Sequence, residues 1–150
     1  MTEGTTPLRR TDWARVAALG LALVGLADSA YLAVLKLTDQ VVACGNIGDC
    51  EIVNSSRYAV IGGVPIALLG AAGFLLILIA VWIDRPAGPW AEAGRYGFFG
   101  LTLVGVLYSL YLTYLELFVL KAVCPYCVLS AVAMAALFAL SIARLRAAND

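Results

Sequence analysis

"LKAVCPYCVLSAVAMAALFALSIARL", residues 120–145, decides how the chain folds. From Val128 onward it is apolar apart from two serines until Arg144. Roughly 20 such residues, rising about 1.5 Å each, make a helix able to cross about 30 Å of hydrocarbon. Yet the stretch opens on Cys-Pro-Tyr-Cys, a redox-capable motif. Beside a βαβ pattern, Cys-x-x-Cys points to a thioredoxin-like domain. No βαβ pattern surrounds it here, so the motif has to be read in a membrane.

Working outward, three further apolar stretches precede it. The four expected spans are 13–37, 64–83, 96–120 and 125–145, each about as long as a transmembrane helix requires. None shows the period-two alternation of a membrane barrel strand. The chain is 63% apolar and 13% charged, with mean hydropathy +0.93. Soluble domains are roughly half apolar and a quarter charged. The expectation is an all-α integral membrane four-helix bundle, a single transmembrane domain over residues 1–150. An extracytoplasmic loop and a short interfacial helix would lie between spans one and two. Zero net charge gives no footprint for nucleic acid. The absence of histidine removes the commonest general base and the imidazole metal ligand. Four cysteines are left to carry chemistry.

An even number of spans puts both termini on one side. Arg9, Arg10, Arg15, Arg85, Arg95, Arg144 and Arg146 fall there, against Lys36, Arg57 and Lys121 on the other. The positive-inside rule makes the first side cytoplasmic, and Trp13, Trp82 and Trp90 sit at that interface as anchors. The expected location is the cell inner (plasma) membrane. Arg9-Arg10 ahead of "VAALGLALVGLADSA" has the look of a secretory signal. The apolar run continues through "YLAVLKL", however, and three more spans follow.

This topology gathers Cys44, Cys50, Cys124 and Cys127 at the outer face, in an oxidising compartment where disulfides persist. "CGNIGDC", residues 44–50, is a turn-rich loop. Its five intervening residues let two Cα atoms reach the roughly 4.4–6.8 Å that a disulfide needs. In CPYC, Pro125 suits the first helical position and leaves Cys124 as N-cap, with Cys127 one turn on. The helix dipole and unpaired N–H groups there favour a thiolate, hence a readily reduced disulfide. A four-thiolate zinc site is disfavoured by the five-residue spacing. Haem attachment would need a histidine where Val128 stands. Two pairs on one face suggest a relay by thiol–disulfide exchange. With no metal or nucleotide motif in the chain, the electrons would leave to a lipid-soluble quinone, in a pocket inside the bundle beside Cys127.

Other residues carry weaker signals. Tyr108, Tyr111 and Tyr114 form a stripe on span three that could line that pocket or simply pack. Asp28 lies well inside span one, where an ionised carboxylate costs at least about 2.5–3.5 kcal/mol. A proton relay or a hydrogen bond to a hydroxyl on another helix would account for it. Glu116 is expected to be wetted at the interface. Gly70, Gly73, Gly97, Gly100 and Gly105 allow close helix approach. "EIVNSSRYAVIGGVP", residues 51–65, reads as a short interfacial helix lying as a lid, with Asn54 or Ser55 as its cap.

A loop pair of cysteines, then "VNSSRY", "GGVPIALLG" and a final-span "CPYC", in that order, resembles the bacterial vitamin K epoxide reductase family. The resemblance covers nearly the whole chain, from span one to span four. It implies a four-helix bundle around a quinone (menaquinone or ubiquinone) that supports disulfide formation in exported proteins. By position, Cys44 resembles the cysteine that meets a thioredoxin-fold partner, and Cys50 the one that passes electrons to Cys124. Cys127 resembles the cysteine facing the quinone, and Ser56 a serine ordering the loop above the site. Many members carry a fused thioredoxin-like domain. The chain ends at Asp150, so a separate DsbA-like partner is the expectation. Animal members carry an asparagine in span two and a tyrosine four residues after the Cys-x-x-Cys. Here span two has none and Ala131 occupies the latter position, a departure that bears on epoxide reduction rather than on quinone reduction. Two rival readings are a non-catalytic membrane subunit stapled by disulfides and a DsbB-type oxidase, in which the order of the two cysteine pairs is reversed.

Overall fold

The computed structural model describes residues 7–46, 48–85 and 88–149, with side chains from residue 12 onward. The side chains of Arg9 and Arg10, used above for orientation, lie outside the described residues. Four long helices dominate: α1 (Pro7–Leu37), α3 (Ile66–Ile83), α4 (Ala91–Tyr114) and α5 (Pro125–Asn149). A six-residue helix, α2 (Cys50–Ser55), a 3₁₀ turn (Arg57–Ala59) and a two-stranded hairpin, β1 (Val60–Ile61) with β2 (Val64–Pro65), lie between α1 and α3. A π-helical turn (Leu115–Leu120) continues α4. All four long helices are long and apolar enough to span a bilayer. Even α3, the shortest at 18 residues, is about 27 Å long.

The long helices form a ring in which α1 and α4 each pack against α3 and α5. Ala18, Ala22, Phe74, Ile77, Val81, Phe98 and Leu137 fill its centre. Gly25 makes room for the Phe74 ring, since a Cβ there would stand 2.2 Å from it. The outward faces carry Leu75, Leu76, Ile79, Val104, Leu107 and Leu110, all exposed. On a soluble protein such a continuous apolar surface would be an anomaly; on a membrane bundle it is the lipid-facing side.

The end of the bundle carrying the chain termini is held by buried ions. Asp84 is 1% exposed. It receives Arg144 through Nε at 2.7 Å and Nη2 at 2.6 Å, and Arg95 at 3.5 Å. Arg15 donates to the carbonyl of Val81 at 3.3 Å. Arg95 and Arg144, counted above as interfacial charges, are thus spent on tying α3, α4 and α5 together.

The opposite end is irregular. Gly62 and Gly63, at φ +58° and +86°, make the two-residue turn of the hairpin, which only residues tolerant of positive φ close readily. The hairpin takes up Val64 and Pro65, so the second long helix starts at Ile66 rather than Val64. The expected lid helix is present, but it begins at Cys50. Asp49 occupies the cap position without a side-chain capping bond. Asn54 and Ser55 therefore do not cap it. The Asn54 carbonyl instead accepts Lys36 Nζ at 2.7 Å, and the Ser55 hydroxyl donates back to the Glu51 carbonyl at 2.6 Å.

Candidate functional site

The irregular end brings the cysteines together. Cys44 and Cys50 form a disulfide with Cα atoms 6.0 Å apart, and Cys124 and Cys127 are free thiols. The sulfurs of Cys44, Cys50 and Cys124 all lie within 4.8 Å of one another. Cys50 and Cys124 are each 1% exposed, packed with Leu32 and Val42, while Cys44 is half-buried.

Two local features hold the loop pair against the CPYC turn. The Asp49 N–H donates to the Val123 carbonyl at 3.0 Å. Gly48 lies so close that a Cβ would stand 2.6 Å from that carbonyl oxygen and 2.7 Å from Pro125 Cδ. The loop is thus pinned at its Cys50 end. Pro125 is the first residue of α5, and the Cys124 carbonyl accepts the Val128 N–H at 3.0 Å, which makes Cys124 the N-cap. Tyr126, inside the motif, packs its ring on Tyr31 of α1 at 5.6 Å. Hydrogen bonding from the Cys127 thiol, aided by the backbone N–H groups of Cys127 and Tyr126, holds the Cys124 thiol below its ordinary value. Burial and the nearby Glu116 carboxylate oppose that shift without reversing it.

Beneath the dithiols lies a cavity of about 300 Å³, within the range of small-molecule sites. Cys124, Cys127, Ser56, Tyr108, Glu116 and Ser130 stand on its otherwise mostly apolar wall. The Tyr108 hydroxyl is buried there without a hydrogen-bond partner in the described residues. Ser56 donates to the Val53 carbonyl at 2.8 Å, closing the α2 turn above the cavity. Tyr111 is placed differently from the expectation. It is half exposed, off the cavity wall, and touches only the edge of the site through the Tyr108 ring at 6.2 Å. Tyr114 is likewise exposed and pairs with Phe118.

Two acidic residues prove more informative than their sequence context. Asp28 accepts a hydrogen bond from the Ser130 hydroxyl across α1 and α5, the hydroxyl alternative weighed above; its other oxygen is buried without a partner among the described residues. Glu116 corrects an expectation. Instead of being wetted, it is 6% exposed and accepts the Cys124 N–H at 3.4 Å. The π-turn accounts for the difference: it is wider than an α-turn, and the Glu116 carbonyl takes the N–H groups of both Lys121 and Ala122 as the chain reverses. Lys121 closes the turn in the left-handed region, at φ +51°. No hydrophobic periodicity announces a π-turn. The one available signal was a carboxylate eight residues before a helix-capping cysteine. Gly48 was also missed, being one glycine among several in a turn-rich loop.

Fold and site together define a helical membrane bundle with two cysteine pairs converging over an internal cavity. The profile of the vitamin K epoxide reductase family matches residues 16–142. The chain belongs to that family. It is also 35% identical over 121 residues to the thiol-disulfide oxidoreductase LTO1 of Arabidopsis thaliana. That match covers 77% of this chain and 32% of the relative, so the chain spans about a third of the length of the relative it matches.

Proposed function

We propose that the chain oxidises the dithiol of a thioredoxin-fold partner and passes the two electrons through its cysteine pairs to a membrane quinone. The observation that carries this reading is the convergence of the Cys44, Cys50 and Cys124 sulfurs within 4.8 Å, with Cys127 on the cavity wall below. Partly exposed Cys44 is the sulfur that a partner thiolate attacks, forming a mixed disulfide that the partner's second thiol resolves. Cys50, released as a thiolate, attacks Cys124 when Cys124 and Cys127 are joined. The Cys50–Cys124 bond so formed releases Cys127, and attack of the Cys44 thiolate on Cys50 then regenerates the Cys44–Cys50 bond and releases Cys124, giving the redox state described here. Cys124, its thiol held below the ordinary value, is the better leaving group in that last step.

The residues around the cavity suit a quinone. Its wall is mostly apolar, its unpartnered Tyr108 hydroxyl is a donor suited to a carbonyl oxygen, and Cys127 brings a thiol to it. A quinone bound there would take up two electrons and two protons as Cys124 and Cys127 form their disulfide. With Cys44 and Cys50 already joined, neither sulfur offers a thiolate to a metal, which favours exchange over a zinc site. The family's thiol chemistry favours an oxidoreductase over a stapled, non-catalytic subunit. In cells, the cysteine end would face the extracytoplasmic side of the inner membrane.

The test uses the purified chain in detergent with a reduced DsbA-like protein and a short-chain ubiquinone or menaquinone. Quinone-dependent loss of partner thiols is expected, and Cys127→Ser should abolish it. Equal rates for the parent and Cys127→Ser would end the proposal.

A further inference from the structure

We infer that Glu116 is the proton acceptor for the Cys127 thiol. The inference rests on the reading that Cys124 and Cys127 discharge into the cavity. Glu116 is nearly fully buried in the π-turn, its carboxylate holds the Cys124 N–H at 3.4 Å, and Cys127 lies one helical turn on from Cys124. The same side chain stands on the cavity wall with Cys127. One carboxylate therefore bridges the two cysteines of the motif and the space into which their electrons leave.

A carboxylate at bilayer depth is costly, and among the described residues no cation pairs with Glu116. A structural role alone leaves that cost unexplained, because a backbone carbonyl or an amide would hold the Cys124 N–H equally well. Proton acceptance explains it. Forming the Cys124–Cys127 bond requires both thiols to lose their protons. Moving the Cys127 proton from sulfur to a Glu116 oxygen transfers one negative charge from carboxylate to thiolate. The net charge of the buried site does not change. Loss of that proton to distant water would add a second buried charge instead. The chain has no histidine to serve in its place.

The other titratable groups nearby are differently engaged. On α2, the Cys50 sulfur is held in the disulfide and the Glu51 carboxylate accepts the Val42 N–H at 2.9 Å. On α1, Asp28 is held by Ser130, and Lys36 donates to the Asn54 carbonyl. On α5 are the two thiols themselves, and on α4 the Tyr108 hydroxyl shares the cavity.

The experiment compares the parent chain with Glu116→Gln and Glu116→Asp in detergent. The carboxamide keeps an oxygen for the Cys124 N–H but cannot accept a proton. Fully reduced protein without quinone is alkylated with iodoacetamide from pH 6 to 10, and modification at each cysteine is read by peptide mass spectrometry. At pH 7, Cys127 in Glu116→Gln should react faster than in the parent, because removing the neighbouring negative charge favours the thiolate, while Glu116→Asp stays near the parent rate. Quinone reduction by Glu116→Gln should fall by about 10²-fold at pH 7 and rise with hydroxide, with partner exchange at Cys44 unchanged. Superimposable parent and Glu116→Gln pH profiles would overturn the inference. So would a uniform loss at every pH together with a lowered melting temperature. If the parent reduces no quinone while the Cys127 profile still shifts, the proposed function fails, and the shift still places the Glu116 charge at the Cys127 thiol.

Discussion

Gly48→Ala is the sharpest probe of how the two cysteine pairs are held in register. The added methyl would stand 2.6 Å from the Val123 carbonyl oxygen and 2.7 Å from Pro125 Cδ. Neither is the movable tip of a flexible side chain: one is backbone, the other a ring fixed at the start of α5. The loop must lift, and the 3.0 Å bond from Asp49 N–H to Val123 goes with it. Losing that bond costs about 1 kcal/mol and the overpacking about 1–3 kcal/mol, together about 2–4 kcal/mol against the docked loop. The ratio of docked to lifted loop should fall by roughly 30- to 900-fold. A Cys127→Ala background, in which Cys124 has no partner in its own motif, reports this directly. Under a glutathione redox buffer it should accumulate a Cys50–Cys124 disulfide, seen by non-reducing peptide mapping. Adding Gly48→Ala should slow formation of that bond by at least about 30-fold. Gly100→Ala, which meets nothing within 4 Å, should not change the rate. Formation as fast with Gly48→Ala as without it would refute the docking argument. Absence of the bond in the Cys127→Ala parent would refute the relay order instead.

Four other outcomes follow from the site and the packing. Tyr108→Phe removes the unpartnered hydroxyl and should raise the KM for quinone about fivefold, worth ~1 kcal/mol, whereas Tyr111→Phe should leave it unchanged; equal effects would remove Tyr108 from the pocket. Cys127→Ala also removes the main hydrogen bond that lowers Cys124, so the thiolate absorbance of reduced Cys124 should titrate at higher pH than in the parent, and an unmoved midpoint would show that the bond does not operate. Arg144→Met leaves Asp84, among the described residues, paired with the more distant Arg95 alone and should cost about 3–5 kcal/mol in thermal unfolding in detergent; a change below about 1 kcal/mol would mean that the ion cluster is not closing that end. Ser130→Ala removes the hydrogen bond that Asp28 accepts and should cost about 1–3 kcal/mol, with Ser130→Thr retaining most of the stability.

What the sequence made legible depended on the range of the physics involved. The four spans were visible because burial in hydrocarbon acts on every residue of a 20-residue window: α1 and α5 contain their expected stretches whole, α3 all but Val64 and Pro65, and α4 contains its own together with the π-turn that continues it. Their ends were less visible. Val64 and Pro65 pair as β2 because two glycines turn the chain just before them, and hairpin closure competes with helix over a few residues only. The pairing of Asp28 with Ser130 was open as one of two alternatives, since a buried carboxylate demands a partner without saying which. Glu116, Gly48 and Asp84 were hidden for a common reason. Each depends on where a second segment lies: the Cys124 turn for Glu116, the Val123–Pro125 backbone for Gly48, the far end of α5 for Asp84. A charged residue near the end of an apolar run reads as interfacial unless the partner that buries it can be seen.

The two ends of the bundle solve different problems, and the contrast bears on how a relay could work without large motion. At the terminal end, an almost fully buried carboxylate with two arginines joins three helices, an arrangement that is expensive to open. At the cysteine end, no ion pair among the described residues joins the helices; hydrogen bonds, a glycine contact and side-chain packing hold the elements together. A disulfide spans about 2.0 Å between sulfurs, so Cys50, no more than 4.8 Å from Cys124, has to close less than about 3 Å to exchange partners. A change of side-chain rotamer covers a distance of that order without moving the helix beneath it. The relay therefore asks for freedom only at the sulfurs. A rigid bundle carrying a lightly held loop meets that requirement, whereas a bundle tied by buried ions at both ends would restrain the loop on which Cys50 is carried.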